Sequence, residues 1–228
     1  IPSSAASDVY KRQGHGGEFF KAGTAEPNIN NAKGVATLNM LKKLASLSNP
    51  DYLTHDSEAI KVEWESGKVA LMTLWASRSG TLLDDEGDAK ITAATKLTGP
   101  ATVGGGNIPA ATLWWDGFTL AKNRSDSDAE ATFIALAHAA SNKKMVADAA
   151  DQAVWLVEGF VPGPKSIGVI EAVKMGAKPY PMLPQMGLMH GALGSEIVEF
   201  LQGKESAEQA LKDVEAAYIS KAKEQGFL

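Results

Sequence analysis

Along residues 30–47 the apolar side chains Val35, Leu38, Leu41 and Ala45 recur at spacings of three and four, while Lys33, Lys42 and Lys43 fall elsewhere on the wheel. That period predicts an amphipathic helix, with Asn30 or Asn31 as N-cap and Asn49-Pro50 as its stop. A second helix is predicted from Ser57, with Ile60 and Trp64 on one face and Gly67 as a left-handed C-cap. Residues 69–75 then read as a buried strand, and residues 113–121, rich in aromatic and β-forming side chains, as another. Ser125-Asp126-Ser127 caps a helix whose face is Ala129, Phe133, Leu136, Ala137 and Ala140, and a shorter helix follows around 143–150. Gly159-Phe160-Val161-Pro162-Gly163-Pro164 predicts a turn or extended loop, and the prolines of 179–184 exclude regular structure there. A pair of helices closes the chain. The last has Ser206 three residues before Gln209, a capping box, and should bury Leu211, Val214, Ala217 and Tyr218. The alternation of helix and strand is that of an α/β fold.

The 228 residues suffice for one large domain or two small lobes, and 44% hydrophobic with 21% charged residues is ordinary for a globular protein. The absence of cysteine excludes disulfides, thiol nucleophiles and iron–sulfur clusters, without fixing a compartment. A net charge of −5 with 22 Lys and Arg argues against a nucleic-acid partner, which would need a concentrated basic footprint. No apolar run approaches the roughly 18 residues of a membrane span. The opening run Ser3-Ser4-Ala5-Ala6-Ser7-Asp8-Val9-Tyr10-Lys11-Arg12-Gln13 looks like an in-frame translation of a sequencing-library adapter. Residues 1–13 are therefore expected to be a scar outside the fold, with coding sequence lost upstream; a disordered polar terminus is the other reading.

Motifs for catalysis are missing. The histidines His15, His55, His138 and His190 are far apart, without an HExxH pair, so no metal site is expected. No GxSxG elbow is present, and Gly104-Gly105-Gly106 lacks the spacing that cradles phosphates, reading instead as a flexible connection with Gly99-Pro100. Asp84-Asp85-Glu86-Gly87-Asp88 is an acidic turn whose glycine is misplaced for a calcium loop. A glycosidase carboxylate pair, which draws on distant strands, stays open on spacing alone.

The tryptophans are more informative. Trp75 ends one predicted strand, and Trp114-Trp115-Asp116-Gly117 begins the other, beside the glycine-rich connection. Strand ends are where crevices open in α/β sheets. A flat indole suits the apolar C–H face of a sugar ring, and Arg78 and Asp116 could hold its hydroxyls. Trp75 and Trp115 are accordingly read as ligand-binding, whereas Trp64, Trp114 and Trp155 are read as core.

Four runs then carry a resemblance. They are Trp64-Glu65-Ser66-Gly67-Lys68-Val69-Ala70-Leu71-Met72 through Trp75; Pro184-Gln185-Met186 with its helix, then Gly203-Lys204-Glu205-Ser206-Ala207-Glu208-Gln209-Ala210-Leu211-Lys212-Asp213; Gly16-Gly17-Glu18-Phe19-Phe20; and the turn and helix from Asn123 to Phe133. In this order they resemble the bacterial extracellular solute-binding proteins that feed carbohydrates to ABC importers, the maltose-binding-protein-like family. The resemblance implies a type II periplasmic-binding fold, two α/β lobes with a hinge, of which the first lobe is largely missing here. It implies that 14–100 and 154–228 belong to the second lobe and that 103–153 returns to the first, with crossings at the glycine-rich stretch and near Ala153.

It also implies a role without catalysis or cofactor: capture of a sugar or oligosaccharide in an interlobe cleft and delivery to the membrane permease. The protein would be a monomer when complete, periplasmic or extracellular, with or without a lipid anchor. Trp75 matches the family's pocket aromatic. His190 falls where a sugar-stacking tryptophan is found, and with Gly191 and Gly194 beside it the pocket would suit a different ligand from maltose. Met182, Met186 and Met189 would line that wall or pack in the core. The expected ligand contacts are thus Trp75, Arg78, Trp115, Asp116 and His190, with no metal ligands. A polyol or other small polar solute is the alternative ligand, and a carbohydrate-active enzyme the reading from another class.

Overall fold

The computed structural model describes residues 3–84, 86–114, 116–141, 143–150, 152, 154–155 and 157–228. In chain order the elements are α1 (Ser3–Gly14), α2 (Ala32–Ala45), α3 (Ser57–Glu65), α4 (Ala76–Ser79), α5 (Ala89–Ala94), β1 (Thr112–Leu113), α6 (Asp126–Ser141), α7 (Lys143–Asp148), α8 (Ile167–Lys174), β2 (Lys178–Pro179), α9 (Met186–Leu201) and α10 (Ala207–Glu224). Short 3-10 turns stand at Gly80–Leu83 and Pro164–Ser166. The chain forms two compact units, the first from Ile1–Ile60, Pro100–Leu113 and Ala172–Leu228, the second from Lys61–Gly99 and Trp114–Glu171.

The first unit is built on α9. Met186, Met189, His190, Ala192, Leu193, Gly194, Ile197 and Phe200 are buried, and its exposed strip is Gly187, Gly191, Ser195 and Glu199. A helix so apolar must be covered on several sides. α10 covers one with Ala207, Ala210, Leu211, Val214, Tyr218 and Ala222, a three-and-four spacing that aligns them along a single stripe. Leu38 and Leu41 of α2 and Val9 of α1 complete the cluster with Phe19, Phe20 and Ile29.

Polar contacts fix the connections. Ser206 Oγ accepts the Gln209 N–H and starts α10, as the capping box predicts. Asn31 Oδ1 accepts from the N–H groups of Lys33 and Gly34 at the head of α2. Glu215 Oε1 of α10 accepts the Ile29 and Asn30 N–H groups at 3.0 Å, and Tyr218 donates its hydroxyl to the Ala25 carbonyl at 2.7 Å. Gly34 is required sterically, since a Cβ there would lie 1.9 Å from the Ile29 carbonyl oxygen. β1 and β2 form a parallel two-residue ladder, Thr112 opposite Lys178 and Leu113 opposite Pro179. Pro179 therefore does enter a strand, at an edge where its missing N–H is tolerated.

Residues 1–13 were expected outside the fold, and the structure differs. Ser3–Gly14 is α1, and within it Arg12 donates through Nε and Nη2 to both carboxylate oxygens of Asp8 at 2.8 Å. The pair is 1% and 0% exposed, one helical turn apart, with the guanidinium carbon 5.4 Å from the Phe19 ring centre. Gln13 donates from Nε2 to the Pro179 carbonyl. An Asp and an Arg at i, i+4 can neutralise one another, which lets so polar a run enter an apolar core.

The second unit holds its polar groups better than its apolar ones. Asp88 caps α5, and Lys61 reaches Glu86 at 2.8 Å and Glu65 at 3.4 Å. Gly67, at φ +71°, ends α3 as the sequence predicts. Leu82 is nevertheless the one buried apolar side chain among the described residues of this unit.

Neither predicted strand forms as expected. Residues 69–75 are irregular, with Leu71 86% exposed, and of the described residues of 113–121 only Leu113 belongs to a ladder. A segment becomes a strand only against a partner, and apart from Leu113 no described residue of either segment is paired in a ladder. The predicted face of α6 is only partly covered: Ala129, Leu136, Ala137 and Ala140 are half-buried, Phe133 is 62% exposed, and no residue of the helix is fully buried. The two units divide 14–100 after Ile60 and 103–153 after Leu113. The expected crossing near Ala153 and the acidic-turn residue Asp85 lie outside the described residues.

Replacing Arg12 with Leu strands the Asp8 carboxylate in the core. Urea denaturation is expected to show a loss of about 3–5 kcal/mol, and a loss near zero would contradict the buried pairing.

Candidate functional site

Trp75 stands immediately before α4, with φ −58° and ψ 136°. Its carbonyl accepts the Arg78 and Ser79 N–H groups at 2.9 and 2.8 Å, so the backbone turns sharply just after the indole. Arg78 lies three residues on, in the last turn of the same short helix. The Trp75 ring meets that of Trp114 edge to face, centroids 5.5 Å apart and planes at 90°. The two rings are 37% and 41% exposed.

The remaining described tryptophans behave differently. Trp64 donates its indole N–H to Thr95 Oγ1 at 2.9 Å, and Trp155 to the Ala149 carbonyl at 2.9 Å, both half-buried. An indole whose N–H is satisfied internally is a structural one. Trp64 and Trp155, read as core, are half-buried, while Trp114, also read as core, is the more exposed partner of Trp75.

Trp115 lies outside the described residues. Asp116 is exposed in a segment without regular secondary structure that continues to Ala121. Beside α4, an open recess of about 200 Å³ is lined by Ala76, Ser77, Gly80 and Thr81 with Asp84 and Lys165, which carry opposite charge. No cluster that could hold a metal ion occurs among the described residues, and no helix is long and apolar enough to cross a membrane.

His190, expected as a ligand contact, belongs to the first unit. It is 5% exposed, on the inner face of α9. Its Nδ1 lies 3.0 Å from the Tyr180 hydroxyl, and its Nε2 is buried without a hydrogen-bond partner. Burial holds the imidazole below its usual pKa, against the opposing field of Asp8. Four residues after Met186 and three before Leu193, it shares the spacing of the helix's apolar stripe. Met186 and Met189 are fully buried and take the packing role, while Met182 is exposed.

No family model matches the chain, and no curated protein is similar to it in sequence. Solved structures are similar in fold. MalE3 of T. maritima with maltose bound matches over 92% of this chain and 56% of its own, with a TM-score of 0.70 at 16% identity. The maltose/maltodextrin-binding domain MalE from Bdellovibrio bacteriovorus bound to maltotriose matches over 95% of this chain and 57% of its own, with a TM-score of 0.69 at 17% identity. The chain shares the type II periplasmic-binding fold of these proteins and spans a little over half of their length.

Burial holds both His15 and His190 below 6.5, so on acidification the unfolded chain takes up protons before the folded one does. Stability is full above about pH 6.5 and falls as the pH drops below it. The difference between urea midpoints at about pH 7.5 and about pH 5.5 should shrink in His190→Gln; an unchanged difference would contradict the buried, neutral imidazole.

Proposed function

We propose that the chain is the later part of a longer, two-lobed solute-binding protein of an ABC importer, which captures a sugar or oligosaccharide in an interlobe cleft and passes it to the membrane permease. The protein acts without catalysis, in the periplasm or outside the cell. The observation that carries this reading is the exposed, nearly perpendicular Trp75–Trp114 pair on a chain that shares the fold of maltose- and maltotriose-bound proteins. Exposed aromatic surface costs hydration free energy, and a ligand with an apolar face recovers it on binding.

In this reading Trp75 stacks on the ring, while Arg78 and Asp116 hold hydroxyls and Trp115 adds aromatic surface. His190 stays outside the set, because its ring is committed to the α9 core. The ligand favours closure only by its extra affinity for the closed form, so the groups that touch it must come from both lobes of the complete protein. The same reading accounts for Leu71, Phe118, Phe133 and Ile134, all at least 59% exposed. The rest of the protein would cover such a surface, which a monomer does not normally leave to water.

In the complete protein, Trp75→Ala should weaken maltotriose binding about tenfold or more, equivalent to about 1.4 kcal/mol, with the ligand-free melting temperature unchanged. Unaltered titration midpoints would overturn the assignment. By sedimentation, the 228-residue chain should self-associate where the complete protein is monomeric; a monodisperse short chain would count against the covered surface.

A further inference from the structure

The chain leaves the second unit twice on its way into the first, after Gly99 and after Glu171. These two exit residues, 72 apart in sequence, are hydrogen-bonded to each other: the Gly99 N–H donates to Glu171 Oε2 at 2.6 Å. A carboxylate that accepts a backbone N–H in a half-buried setting makes one of the stronger hydrogen bonds. Glycine permits it, since a Cβ on residue 99 would lie 2.6 Å from that oxygen and 2.8 Å from Glu171 Cβ. One turn back on α8, a Cβ on Gly168 would stand 3.3 Å from the Thr98 carbonyl oxygen. Gly168 and Glu171 share a face of the helix, so Thr98 and Gly99 lie along α8. We propose that Glu171 is a positioning residue for closure: its carboxylate clasps the segment ahead of Pro100 to α8, so that bending starts at Pro100 and the ligand-free protein samples a narrow range of open forms. This rests on the two-lobed solute-binding reading and adds to it the group that stiffens its joint.

The flanking chain limits where such a joint bends. Pro100 has no N–H to donate and a φ held near about −65° by its ring. Beyond it the Ala110 N–H donates to the Ala101 carbonyl at 2.9 Å and Thr102 bridges Pro109, which closes the glycine-rich stretch into a loop of the first unit. The chain is therefore held up to Gly99 by Glu171 and from Ala101 by that loop, and few torsions between them are left to turn. Without the carboxylate the free stretch begins further back, and each added pair of φ and ψ multiplies the open arrangements. The closed, ligand-bound form is one arrangement drawn from that set, so a joint with about twice as many open states binds about twofold more weakly. No local pattern in the sequence marks Glu171, because the group it holds is distant along the chain.

The test places spin labels on the complete protein at Glu130→Cys and Lys212→Cys, exposed positions on α6 and α10 that the two-lobed reading assigns to opposite lobes. Double electron–electron resonance gives the distribution of label-to-label distances, and calorimetry the affinity for maltotriose, with Glu171 intact, in Glu171→Ala and in Glu171→Gln. In Glu171→Ala the ligand-free distribution should widen and maltotriose affinity fall about twofold to fourfold, with the maltotriose-bound distribution unchanged. Glu171→Gln, whose amide oxygen still accepts the Gly99 N–H, should restore most of both. A lower melting temperature with an unchanged ligand-free width marks a merely stabilising hydrogen bond and overturns the clasp, while a distance that still shortens with maltotriose leaves the solute-binding reading standing. If Glu171→Gln widens the distribution as much as Glu171→Ala does, the hydrogen bond is not the restraint and the clasp is again overturned. If maltotriose neither binds nor shortens the distance with Glu171 intact, the solute-binding reading falls, and the clasp, left with no closure to position, falls with it.

Discussion

A 16-residue helix that is apolar around most of its circumference cannot stand against water, and the cover that α9 requires arranges the first unit. α10 lies along it with a continuous stripe from Ala207 to Ala222, and α2 and α1 fill what remains. Each fully buried Leu, Ile, Val or Met contributes about 1.5–3 kcal/mol, and this core holds many of them. Around it the polar groups are matched: Glu215 closes the turn before α2, Tyr218 reaches the Ala25 carbonyl, and the Asp8–Arg12 pair admits α1.

The second unit obeys the same physics with the opposite result. Leu82 is the one buried apolar side chain among its described residues. Local caps and ion pairs such as Asp88 and Lys61–Glu86 shape short helices, but at exposed sites they add only tenths of a kcal/mol up to about 1 each. The aromatic pair stands in this thinly packed unit.

How much was legible in the sequence depended on whether the signal was local. The caps Asn31 and Ser206, the stop at Gly67 and the stripe Leu211, Val214 and Tyr218 are carried by neighbours within a turn or two, and each stands where its spacing places it. Residues 69–75 and 113–121 have strand composition, but a strand is a property of two segments, and composition does not supply the partner. α1 escaped because its polar run reads as solvated until Asp8 and Arg12 are seen to neutralise one another. His190 was placed by analogy with a stacking residue, although its spacing to Met186, Met189 and Leu193 already put it on the stripe that α9 buries. Trp114 and Trp115 are adjacent and chemically identical. The ring that meets Trp75 is that of Trp114.

Hydrogen exchange on the 228-residue chain reads the central claim, that the fold is held from α9 while the aromatic-bearing unit is only thinly packed. Amides of α9 and α10 should exchange only through global unfolding, whereas those of 69–75 and 116–141 should exchange close to their intrinsic rates. Uniform protection across both units, with 69–75 as slow as α9, would contradict it.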